Sequence, residues 1–74
     1  MEFKDQVLYV RAVLKLTQQE LAKQIGVSYA TINRWELGRV NPSKMDKYAF
    51  IIFCMNNNIV FDNNVKVMKG EYHE

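Results

Sequence analysis

Two short helix-forming segments lie on either side of a single glycine, Gly26, and this pattern restricts the fold more than any other part of the chain. Thr17 stands where a helix N-cap belongs. Glu20, three residues later, completes a Thr-x-x-Glu capping box, in which each side chain satisfies the other residue's free backbone amide. Leu21, Ala22 and Ile25 then face inward, and Gly26 sits where a left-handed residue closes a helix. Ser28 can cap a second helix that runs through Leu37 and stops at Gly38.

The flanking segments are also helical. Phe3, Val7, Val10 and Leu14 make one helical stripe, with Arg11 beside it. Asn41-Pro42-Ser43 marks a turn, and Ser43 with Asp46 repeats the capping pattern, so a fourth helix should run to about Met55. Asn56, Asn57 and Asn58 end it, because asparagine competes for backbone hydrogen bonds. On a rotation of about 100° per residue, Met45, Tyr48, Ala49 and Ile52 are expected to cover the core. Phe50, Phe53 and Cys54 then point largely the other way, as an apolar face needing a partner. Two occupants are open: the chain's own tail, through Ile59, Phe61, Val65, Val67 and Met68, or a second copy in a homodimer.

Ile59 to Met68 reads either as a short helix or as a hairpin turning at Asp62, Asn63 and Asn64, with Val65-Lys66-Val67 leaning toward strand. Gly70 to Glu74 should fray. The expected fold class is all-α: a compact domain of four to five helices over residues 1–58, with residues 59–74 as an extension that packs or dimerises.

Composition narrows the function classes. At 74 residues and 49% hydrophobic the chain is one ordered domain with a small core, which a dimer partner would help to stabilise. A net charge of +2 permits nucleic-acid binding without requiring it. Arg34, Arg39, Lys44 and Lys47 do fall close together in the chain. The single cysteine, Cys54, excludes an intramolecular disulfide, and no metal-ligand cluster is present. Neither Cys54 nor the lone His73 has a catalytic partner nearby in sequence, and there is no glycine-rich phosphate loop. No enzymatic activity, metal or cofactor is expected. Charges at Glu2, Lys4 and Asp5 interrupt any signal peptide, and the apolar run Tyr48 to Met55 is far short of the ~20 residues that span a bilayer. A soluble, cytoplasmic protein that does not engage membranes is expected.

The helix from Ser28 to Leu37 carries the functional signal. With Ile32 at the centre of its buried face, Trp35 and Ser28 lie within about 60° of it, while Ala30, Asn33, Arg34 and Leu37 fall on the far side and Tyr29 on the flank. Arginine can bind guanine O6 and N7 together, asparagine can do the same for adenine N6 and N7, and alanine permits close approach to a thymine methyl.

Taken together, Leu16-Thr17-Gln18-x-Glu20-Leu21-Ala22, Gly26-Val27-Ser28, Thr31-Ile32-x-Arg34-Trp35-Glu36-x-Gly38 and Pro42-Ser43 closely resemble the phage-repressor-type (Cro/repressor, xenobiotic-response-element-type) helix-turn-helix family. The resemblance covers roughly residues 5–56. It implies a five-helix domain whose third helix reads the major groove of double-stranded DNA, with base contacts from Tyr29, Ala30 and Arg34 and secondary contacts from Ser28 and Asn33. Gln18 matches a glutamine that begins helix 2 and contacts the DNA backbone; Arg39 and Asn41 match the loop after helix 3, and Lys44 is a further backbone candidate. Arg11 and Glu36 match an ion pair joining helix 1 to the end of helix 3. Trp35 is read as core, and Tyr29 is bulkier than the residues common at its position, so no known base preference transfers. The resemblance implies a small bacterial or phage transcriptional regulator, with repression as the expected mode. Two other readings remain open: an antitoxin that binds DNA and a toxin protein, and an interaction or specificity module of a DNA-modifying system.

Overall fold

The computed structural model describes residues 1–61, and four helices account for most of them. α1 spans Phe3–Leu14, α2 Gln18–Ile25, α3 Tyr29–Leu37 and α4 Lys44–Asn56. The capping chemistry sets the starts. Thr17 Oγ1 accepts from the Glu20 amide at 3.0 Å while the Thr17 amide donates to Glu20 Oε1 at 2.8 Å, so the capping box is complete. Ser28 and Ser43 each accept from the amide three residues on.

The helix ends share a device. At α1, α2 and α4 the chain turns left-handed at Lys15, Gly26 and Asn58, and the next residue's amide bonds back five positions: Leu16 to Arg11, Val27 to Ala22, Ile59 to Cys54. This closure satisfies a helix-end carbonyl and turns an apolar residue toward the core. Leu16 and Val27 pack against that core, and Ile59 is part of it. Glycine supplies the left-handed backbone at only one of these three turns; lysine and asparagine supply it at the others.

The core is assembled from Val7 and Val10 of α1, Leu21 and Ala22 of α2, Ile32 and Trp35 of α3, and Phe50, Phe53 and Cys54 of α4. Phe3, Trp35 and Phe50 form an edge-to-face aromatic group, with Phe3 5.1 Å from each of the other two and Trp35 and Phe50 6.2 Å apart. Trp35 is therefore a core residue, as its position in α3 suggests. Ile59 and Phe61 also join the core, and the Phe61 ring meets Tyr9 of α1 at 5.8 Å.

The expected orientation of α4 is reversed. Phe50, Phe53 and Cys54 are 0, 8 and 3% exposed, so they form no partner face; Met45 and Tyr48, expected to cover the core, are 82 and 65% exposed, and Ile52 is exposed with them. The physical reason is that α4 is apolar on both sides, so rotation alone cannot say which side turns inward. Docking against Phe3 and Trp35 selects the side that carries Phe50, whose ring meets both of theirs edge to face. The start of the tail covers this same region, since Ile59 and Phe61 belong to the same cluster as Phe50 and Phe53. The helix-or-hairpin alternatives for the remaining tail, and the frayed end, lie outside the described residues.

Candidate nucleic-acid interface

α3 is held by its inner face and by its N-cap, and its outer face is left free. Ile32 and Trp35 are buried, while Tyr29, Ala30 and Arg34 are exposed, with Tyr29 51% exposed. A short helix anchored in this way presents a tyrosine, a methyl group and a guanidinium at fixed spacing. Ser28, a secondary candidate for base contact, is occupied as the cap and pairs its hydroxyl with Thr31 Oγ1 at 2.9 Å. Asn33 is half-buried at the edge of the exposed face.

Arg11 and Glu36 meet as the resemblance implies. The guanidinium is bidentate, with Nε 2.6 Å from Oε2 and Nη2 2.9 Å from Oε1. A third Arg11 nitrogen, Nη1, donates to the Leu16 carbonyl at 3.3 Å. The hydrogen bond to Glu36, assisted by its charge, holds the Arg11 guanidinium protonated still more firmly, against the opposing effect of partial burial. The pair ties α1 and the α1–α2 connection to the last turn of α3. It therefore sets the angle at which α3 is presented.

Gln18 has an additional role that the sequence did not reveal. Its Nε2 donates to Glu36 Oε1 at 2.7 Å and lies 3.4 Å from Asn33 Oδ1, so both N–H groups are directed into the protein. Its side chain is thus already committed to partners within the protein. The first backbone amides of α2, at Gln18 and Gln19, are different. Thr17 satisfies the amides of Glu20 and Leu21, and the two before them are the open donors of the helix start. Such amides suit a phosphate. A shallow depression lined by Arg11, Thr17, Gln18, Gln19 and Tyr29 lies at this end of α2 and brings it beside the start of α3.

Arg39, Asn41 and Lys44 are exposed in the loop after α3 and at the first position of α4. Gly38, which begins this loop, has φ +71°, and a Cβ there would stand 2.9 Å from Cδ of Lys4. The Lys4 stem therefore packs across the end of α3, a contact without a sequence signal because Lys4 and Gly38 are far apart in the chain. Among the described residues there is no group of three or more His, Cys, Asp or Glu side chains that could hold a metal ion, and no helix is long and apolar enough to cross a membrane.

Comparison with known proteins settles the family. The helix-turn-helix family model matches residues 9–46, which contain all of α2 and α3. The chain belongs to the Cro/C1-type helix-turn-helix family. It is also similar to an uncharacterized HTH-type transcriptional regulator of Methanocaldococcus jannaschii, at 48% identity over 49 residues, covering 66% of this chain and 71% of the relative. No solved structure matches. Membership in this helix-turn-helix family makes the chain a DNA-binding regulator in broad class.

Proposed function

We propose that the protein binds double-stranded DNA sequence-specifically by laying α3 in the major groove, and that it represses transcription by occupying an operator and blocking polymerase. The observation that carries this reading is the division of α3: Ile32 and Trp35 anchor it, leaving Tyr29, Ala30 and Arg34 to face base edges. Backbone phosphates are received by the open amides of Gln18 and Gln19 and by Arg39, Asn41 and Lys44, which position the domain without reading sequence.

Selection of bound sites from random duplex DNA, repeated at two salt concentrations, tests the proposal. Arg34→Ala should weaken preferred sites selectively, by ~1–3 kcal/mol. Arg39→Ala should weaken all sequences alike and flatten the salt dependence. Identical behaviour of the two variants would contradict the division between reading and anchoring residues.

The outward stripe Met45, Tyr48, Ile52 and Met55 on α4 supports a homodimer as the binding unit. These residues recur at the three-and-four spacing of a helix–helix seam. Two copies joined there would place two α3 helices on a two-fold operator with half-sites about 34 Å apart. Sedimentation at micromolar concentration should give a dimer. A Tyr48→Lys variant should be monomeric, and a wild-type monomer on its own and on DNA would overturn this assembly.

A further inference from the structure

The Gln18 amide lies between a carboxylate and the edge of the reading helix, and its orientation follows from chemistry. Glu36, paired with Arg11, is ionised and can only accept hydrogen bonds. Gln18 must therefore turn its NH2 toward Glu36, because its own carbonyl oxygen there would face a carboxylate. The second hydrogen of that nitrogen is directed at Asn33, 3.4 Å away, so Asn33 must offer its oxygen in return. Arg11, Glu36, Gln18 and Asn33 form a polar relay in which each member fixes the orientation of the next. The relay ends with Oδ1 of Asn33 directed toward the protein and Nδ2 as its free end. Among the described residues, Nδ2 donates to no protein group.

We propose that Gln18 is a positioning residue for specificity: it pins the Asn33 amide with its nitrogen outward, so that Asn33 reads a hydrogen-bond acceptor at one base pair of the operator. This inference rests on the proposal that α3 lies in the major groove. An unpinned asparagine can turn its amide over and accept from a base as readily as donate to one. A pinned one favours an acceptor at the point it faces, guanine O6 or N7, adenine N7 or thymine O4, and disfavours an amine there, adenine N6 or cytosine N4. Gln18 thereby acts on sequence choice without touching a base. With its amide nitrogen directed at Glu36 and Asn33, the backbone amides of Gln18 and Gln19 supply the phosphate contact at this helix start.

The test is site selection from random duplex DNA with the full chain, comparing wild type, Asn33→Ala, Gln18→Met and the double variant. Methionine keeps the length of the side chain and removes both donors. A thermal melt by circular dichroism verifies that each variant is folded, and Gln18→Ala replaces Gln18→Met if the latter is not. At the position Asn33 faces, the wild type should select bases that place an acceptor opposite its amide over the base that places an amine there, by about tenfold. Asn33→Ala should abolish that preference. Gln18→Met should reduce it to about twofold or less at that position alone, leaving the Arg34 position unchanged. The double variant should match Asn33→Ala, since Gln18 acts only through Asn33. Unchanged base preference in Gln18→Met, or a uniform loss of affinity across all sequences, would overturn the inference while leaving DNA reading by α3 intact. A wild type that selects no sites would overturn both.

Discussion

The segment from Thr17 to Gly38 and the helix that follows it are built on opposite terms. In the first, the capping and turn residues each have a place. Thr17 and Glu20 close a capping box, Ser28 caps α3, Gly26 and Gly38 turn left-handed, and Ile32 and Trp35 alone define the buried side of α3. In α4 the polar residues cluster at the two ends, and the middle is apolar on every side. An amphipathic helix states its own rotation about its axis. A helix that is apolar all round leaves that rotation to its neighbours, here to the ring group of Phe3 and Trp35.

This contrast is testable within α4 and between the two regions. The largest effect is expected at Phe50, which is fully buried between Phe3 and Trp35. Phe50→Ala should destabilise the domain by about 3–5 kcal/mol in denaturant melts. A loss of less than about 1 kcal/mol would mean that the other side of α4 faces the core.

Cys54 gives an independent reading of the same face. Burial pushes its thiol up to about 11, so the fold favours the neutral form. Because the folded value is raised, the associated stability is fully present below the unfolded thiol's pKa and is lost as pH rises toward 11. Between roughly pH 9 and 11 the wild type should lose stability relative to Cys54→Ala, by an amount on the order of 2 kcal/mol. Parallel stability curves for the two proteins would place Cys54 in solvent.

A smaller effect is expected in the turn. Gly26 has φ +94° with open space where a Cβ would go, so Gly26→Ala carries only backbone strain, about 1 kcal/mol by thermal melt. A neutral result would show that the turn relaxes out of the left-handed region. The smallest effect belongs to Met45, 82% exposed, where Met45→Ala should change the stability of the monomer by no more than about 0.5 kcal/mol.

Much of this protein is legible in its sequence. The capping residues and stop residues give the helices to within a residue or two, and the family resemblance pairs Arg11 with Glu36 across 25 positions of chain. What escaped was set by long-range packing. The inward side of α4 depends on which rings it meets. The Gln18 relay and the Lys4 stem over Gly38 join residues that no local pattern links. Lys15 and Asn58 take left-handed turns that glycine would have advertised. The role of the tail was half legible: its apolar residues suggested a cover, and Ile59 and Phe61 supply one to the core that Phe50 and Phe53 share.

The account depends on the outer face of α3 meeting base edges. Amide chemical-shift mapping during titration with a selected duplex tests this most directly. The account predicts that the largest changes fall on Tyr29, Ala30 and Arg34, with a second group at the Gln18 and Gln19 amides. A tight complex that leaves the α3 residues unmoved would contradict it.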